Sequence, residues 1–216
     1  MPVDTLKDLE PVATLVSTQM MLVVRADVPA GTLQEFVALA RRTNPPLPYA
    51  SIGNGSQHHL VMEMLKSMAG IDLLHVPYKG GGPAMAALLG GQVAAMFGGN
   101  SVVGQVRAGK ARALAVAGRE RAASFPDLPR LGELYPGLEV TPWIALFGPV
   151  GMPGHVLNRV RSETGRLLAD EEMRAAIRKL GGLEPYVTTP EEFAALIRAE
   201  HAKYGQVVKA TGVRVD

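Results

Sequence analysis

The chain of 216 residues contains no cysteine, which excludes disulfides and thiolate chemistry and leaves its redox compartment open. Aromatic residues make up only 5% of it, with a single tryptophan, so the basic stripes interleaved with aromatics that hold single-stranded nucleic acid are absent. Charge of one sign is lacking too. The 22 Lys and Arg stand against 20 Asp and Glu for a formal net charge of +2, and the basic residues are scattered, so no nucleic acid partner is expected. No apolar run approaches the roughly 18 residues of a membrane span. The opening MPVDTLKDLEPV has neither the basic nor the apolar region of a secretory signal, so no signal peptide is expected in this chain. What the chain does have is glycine, 24 residues of it, and a length sufficient to bury a core in one large domain or two small lobes.

The front half alternates apolar runs with helical periodicity. Strands are expected at Val12 to Val16, Met20 to Arg25, Leu47 to Ser51, Asp72 to Val76, Val93 to Phe97 and Arg112 to Ala117, most of them near-continuous apolar runs of the kind covered on both sheet faces. Thr32 and Glu35 form a capping box that opens a helix through about Arg42, with Leu33, Phe36, Val37 and Ala40 inward. After Ser56, Leu60, Val61, Met64, Leu65 and Met68 recur at helical spacing, and Gly82 to Leu89 forms another short helix. Strand–helix–strand alternation with short links implies a mostly parallel α/β sheet. The back third holds many of the prolines. Its extended segment from Leu138 to Val150 passes between lobes, and helices follow from Pro153 to Ala169 and from Glu171 to Leu180. The last helix begins at Thr189, where Pro190 in the first turn and Glu192 make a second capping box.

The stretch YASIGNGSQHHL, residues 49 to 60, places Gly53 and Gly55 between an extended segment and a helix, with Ser51 and Ser56 beside them. Free amides at a helix start and the positive end of its dipole favour a carboxylate or phosphate. The loop is neither a P-loop, since no Lys follows at the required spacing, nor a dinucleotide fingerprint, since the third glycine is absent. A tight turn that uses glycine only for its conformation accounts for it equally well on local grounds. PYKGGGPAM adds a second loop with Tyr78, Lys79, Gly80, Gly81 and Gly82, and FGGNSVVGQ adds a third with Gly98, Gly99, Asn100 and Ser101. Loops after parallel strands emerge at one carboxyl edge, where ligands bind in open α/β sheets. The amides of Gly55, Ser56 and Gln57 are expected to be free for an anion. His58 is expected to face solvent and His59 to hydrogen-bond within the loop; no metal-ligand spacing and no catalytic acid–base pair is evident.

LPYASIGNGSQHHLVMEMLKSMAGIDLLHVPYKGGGPAMAALLGGQVAAMF, then RAGKARALAVAGRERAASFPDLPRLGEL and WIALFGPVGMP, resemble the Bug family, the TctC-type solute-binding proteins of tripartite tricarboxylate transporters. The resemblance implies a periplasmic protein of the type II periplasmic-binding-protein-like α/β class. Two lobes close on a small carboxylate, be it a di- or tricarboxylate, an amino acid or an aromatic acid, and deliver it to membrane permease subunits. It carries ligand contacts onto Ser51, Gly53, Asn54, Gly55, Ser56, Tyr78, Gly80, Gly81 and Gly82, and the third loop adds Asn100. No cofactor is implied. Residues 25–141 are then one intact parallel-sheet lobe, 1–24 a remnant of the other lobe and 142–216 its return segment and terminal helices, with closure about Val23 to Asp27 and Val140 to Ile144. The family's PFPPGGGTD-like loop, which supplies the opposite jaw, has no counterpart in this sequence. The incomplete lobe is therefore expected to expose apolar surface that favours a homo-oligomer, and the chain alone to bind weakly. Two other readings remain: a small α/β enzyme holding a phosphate or acyl group in the same loops, and a fragment that binds nothing.

Overall fold

The computed structural model describes residues 4–122, 124–180 and 182–213. In chain order the elements are β1 (Leu9–Thr18), β2 (Met21–Arg25), α1 (Leu33–Arg42), β3 (Pro48–Ser51), α2 (Gln57–Ala69), β4 (Leu74–Pro77), α3 (Gly81–Leu89), β5 (Ala95–Gly98), α4 (Ser101–Arg107), β6 (Ala111–Val116), α5 (Leu131–Leu134), β7 (Trp143–Pro149), α6 (Gly154–Ala169), α7 (Glu171–Lys179), β8 (Leu183–Pro185) and α8 (Pro190–Thr211). They fall into two compact units. One comprises the residues up to Thr18 with Pro142–Tyr204, the other Gln19–Thr141 with the residues from Gly205 onward.

The second unit holds a five-stranded sheet in the order β4-β3-β5-β2-β6. Alternation along each strand divides its side chains between two faces. Leu22, Val24, Ala95 and Phe97 join Phe36, Val61 and Leu65 in one core cluster, whereas Met21, Val23 and Met96 join Leu88 and Val102 in the other. Both faces are covered by helices, which explains the unbroken apolar runs of β2 and β5, buried along nearly their whole length. Thr32 caps α1 by accepting the Glu35 amide at 3.2 Å, while the Glu35 carboxylate reaches back one residue further than a capping box requires, to the Gly31 amide at 2.6 Å.

The mostly parallel sheet is present with one exception: β3, β4, β5 and β6 run the same way, but β2 is antiparallel to both β5 and β6. A strand buried on both faces shows the same apolar run in either direction, so the pattern carries no polarity. Two further expectations need correction. The boundary at 24/25 moves to 18/19, because residues 21–25 pair with β5 and β6 inside this sheet. For the same reason Val23 and Val24, with 0% exposure inside it, are not a hinge. The chain passes between units at Thr18/Gln19, at Thr141/Pro142 and, within α8, at Tyr204/Gly205, and Leu138 and Val140, part of the expected crossing segment, are core residues of the second unit.

The first unit is a three-stranded sheet, β7-β1-β8, antiparallel throughout. Pro11 has no N–H to give the β1–β7 ladder, and the register shifts between Pro11 and Ala13. Arg161 of α6 takes up the carbonyls there, donating to Pro11 O at 2.8 Å and Val12 O at 3.1 Å. The Thr189 box forms in full: the Thr189 amide donates to the Glu192 carboxylate at 2.8 Å and the Glu192 amide to Thr189 Oγ1 at 3.2 Å. Phe193, in that first turn, packs edge-on to Trp143 with ring centroids 5.6 Å apart. The opposite face of β7 presents exposed Ile144 and Leu146.

Candidate functional site

The strands β3, β4, β5 and β6 all run one way, so Ser51, Pro77, Gly98 and Val116 end at a single edge of the sheet. All three glycine loops leave from that edge. Residues 52–56 follow β3, residues 78–80 follow β4, and Gly99 and Asn100 follow β5.

The first loop is a closed turn. Gly53 (φ 136°) and Gly55 (φ 70°) adopt backbone conformations that side chains resist, which is why glycine stands there. Ser51 is fully buried; its Oγ accepts the Gly53 amide at 3.1 Å and lies 2.6 Å from His75 Nε2. Ser56 caps α2, its hydroxyl donating to Gly53 O at 2.7 Å. Two of the amides expected to be free are not. Gly55 N–H donates to His59 Nδ1 at 3.1 Å and Ser56 N–H to Gly53 O at 3.2 Å, and Gln57 is not without a partner either. In a turn this tight, the Gly53 carbonyl and the His59 ring reach the Ser56 and Gly55 amides before any ligand does. Asn54 is its exposed tip.

The second loop is open. Gly80, at φ 108°, precedes α3 with no side-chain cap. The first helical hydrogen bond is Ala84 N–H to Gly80 O at 3.3 Å, and among the described residues the amides of Gly81 and Gly82 meet no protein acceptor. A Cβ added at Gly80, Gly81 or Gly82 would meet nothing within 4 Å, so no packed group crowds these three glycines on their side-chain side. Tyr78 packs partly into the core beside them and Lys79 is exposed. In the third loop Asn100 stands at the start of α4 without capping it. The amides left without a protein acceptor therefore lie at the start of α3, whereas those of Gly55 and Ser56 ahead of α2 are taken.

His59 bonds within its loop as expected. His58 does not face solvent: its ring is partly buried with Nδ1 shielded and unpartnered, and burial pushes it down to about 4. Sequence reasoning missed the group behind the first loop. Parallel pairing sets His75 opposite Tyr49, and the His75 and His59 rings stack with centroids 3.7 Å apart. Tyr49 Oη donates to Glu63 at 2.7 Å, and Lys66 reaches the same carboxylate at 3.0 Å. Ser51 and His75 have the separation of a nucleophile and base, but Ser51 has 0% exposure, so no substrate reaches it and the pair does not make a hydrolase. Among the described residues no cluster of three metal-ligating side chains exists, and no helix is long and apolar enough to cross a membrane.

An α/β sheet that gathers glycine turns at one carboxyl edge belongs to the class of folds that hold small ligands there, the periplasmic solute-binding proteins among them. The chain itself belongs to the tripartite tricarboxylate transporter receptor family (TctC), whose model matches residues 1–213. It is 32% identical to Protein BugT of Bordetella pertussis over 99% of this chain and 66% of that protein. The solved structure of R. palustris Rpa4515 with adipate superposes with a TM-score of 0.90 at 27% identity, covering 100% of this chain and 73% of that one. Periplasmic binding protein BugD gives 0.84 at 30% identity over 96% and 71%. MatC from Rhodopseudomonas palustris with bound malate gives 0.83 at 30% over 95% and 71%. The chain spans 62–66% of the length of BugT and two other curated relatives. Proteins of this family are receptors rather than enzymes.

Proposed function

We propose that this chain is the solute-binding part of a tripartite transporter, that it captures a small dicarboxylate in the periplasm, and that it hands the ligand to membrane permease subunits. The ligand carboxylate sits at the carboxyl edge of the five-stranded sheet. Gly81 and Gly82 donate backbone N–H bonds to it, the dipole of α3 favours its charge, and Tyr78 and Gly80 shape the approach. Asn54 and Asn100 extend from the flanking loops, while Ser51, Gly53, Gly55 and Ser56 fix the first turn that walls the site. The observation that carries this reading is the uncapped start of α3, with the Gly81 and Gly82 amides meeting no protein acceptor among the described residues, in a member of a receptor family. Malate in MatC and adipate in Rpa4515 support a four- to six-carbon diacid as the ligand class.

Calorimetric titration of malate, succinate, adipate, citrate, glutamate and nicotinate against this chain and its Gly81→Pro variant tests the reading. Proline suits the first helical position but removes the N–H. One charge-assisted hydrogen bond is worth about 1.5–3 kcal/mol, so at least one diacid should bind saturably and Gly81→Pro should weaken it by about tenfold or more. Absence of binding by every acid, or equal binding by the variant, contradicts the assignment.

A further inference from the structure

The first glycine turn is held from behind by groups that have no direct part in ligand contact. His59 Nδ1 accepts the Gly55 amide at 3.1 Å, and an accepting nitrogen carries no proton, so this bond exists only while the imidazole is neutral. His75 Nε2 lies 2.6 Å from Ser51 Oγ, which in turn accepts the Gly53 amide at 3.1 Å. The two rings stack at 3.7 Å and 17°, a separation at which two imidazolium charges repel strongly. A chain of contacts thus runs from Gly53 through Ser51 to His75, across the stack to His59, and back to Gly55.

We propose that His59 and His75 are positioning residues for the turn 53–56: as a neutral stacked pair they hold it in its closed geometry, and protonation of the pair releases it, so that ligand capture weakens in acid. The holding role stands on the turn alone; its consequence for capture rests on the carboxylate reading. The other titratable groups around the pair are accounted for. From α2, Glu63 lies 4.0 Å from His59 Nε2, but its charge is already engaged by Tyr49 of β3 and by Lys66. Lys66 also approaches Asp72 at 3.6 Å, and His58 stands next in sequence. Burial, seconded by the His59 ring, pushes His75 down to about 4 against the opposing pull of Glu63; burial lowers His59 as well, with Glu63 opposing and Lys66 assisting. Both are therefore neutral at pH 7. The unfolded chain takes up these protons first, near its ordinary value of about 6.5, so the stability they contribute is complete above that pH and is lost as pH falls below it, for His75 towards about 4.

The test is amide hydrogen exchange of Gly55, read by NMR as a protection factor between pH 8 and pH 4 in the unliganded chain, with His59→Asn and His59→Phe beside it. Asparagine keeps an acceptor near the Nδ1 position that does not titrate, whereas phenylalanine keeps a ring without one. Protection of Gly55 should fall at least tenfold in acid in step with titration of His59, stay level across the range in His59→Asn, and be low at every pH in His59→Phe. The amides of Leu60 to Leu65 in α2 report that the fold is intact. Protection that ignores pH in the wild-type chain, or that follows the same pH profile in His59→Asn, overturns the proposal even if His59→Phe does not fold. Malate titrated at pH 8 and pH 5 separates the two readings. If no form binds malate while Gly55 behaves as described, the carboxylate reading fails and the positioning role stands. If malate binds at pH 8 while Gly55 protection is indifferent to pH, the positioning role fails and the carboxylate reading stands.

Discussion

The two units of this chain are built to different densities. In the five-stranded unit Leu22, Val23, Val24, Leu33, Phe36, Val61, Leu65, Leu88 and Phe97 all have 0% exposure, and helices close both faces of the sheet. In the three-stranded unit the buried hydrophobic side chains among the described residues are Val12, Leu157, Leu168 and Phe193, and α7 buries none of its residues. There, polar fasteners carry more of the structure: the Arg161 fork on the β1 carbonyls, the Thr189 box, and the hydroxyl contact of Thr14 with Thr188 at 3.1 Å. Burial of apolar area is the main favourable term in folding, so the five-stranded unit sets global stability and the three-stranded unit opens locally at lower cost.

The largest expected effect breaks that comparison most cleanly. Phe36→Ala should destabilise the chain by about 3–5 kcal/mol, the usual cost of emptying a closed aromatic site, and should accelerate exchange in β2 and β5. Phe193→Ala removes the largest buried side chain of the sparser unit and should accelerate exchange in β1, β7 and α8 while leaving β2 and β5 protected. Hydrogen exchange resolved by element checks both, and loss of β2 protection in Phe193→Ala would show one cooperative core instead of two. A smaller effect sharpens the same contrast. Thr32→Ala and Thr189→Ala each delete an N-cap worth about 1 kcal/mol. Thermal unfolding should register the Thr32 variant in the main transition, and the Thr189 variant in an earlier loss confined to the sparser unit.

The comparison also shows why some of the molecule was legible in its sequence. The apolar runs of β2 and β5 and the spacing of Leu60, Val61 and Leu65 state burial and period directly, and Thr32, Ser56 and Thr189 mark helix starts because capping is a local bond. Strand direction is not local. Nothing in MLVVR distinguishes a parallel from an antiparallel neighbour, and β2 takes its direction from the place where the chain enters the sheet. The glycine loops could be located but not ranked: the His59 contact lies only four residues from Gly55 and was within reach of the sequence, but His75 meets the first loop only when β4 pairs beside β3. His75 lies 24 residues from Ser51 along the chain, and only the parallel register brings them together.

The central claim, that an anionic ligand is held at the start of α3, is tested most directly by following the amide resonances of Gly81 and Gly82 while malate and adipate are titrated into the isotopically labelled chain at pH 8. Saturable shifts concentrated at Gly81, Gly82 and Asn100, absent when a neutral diamide of the same length replaces the acid, are the predicted result. Saturable shifts confined to other regions, or none at all with either diacid, would contradict it.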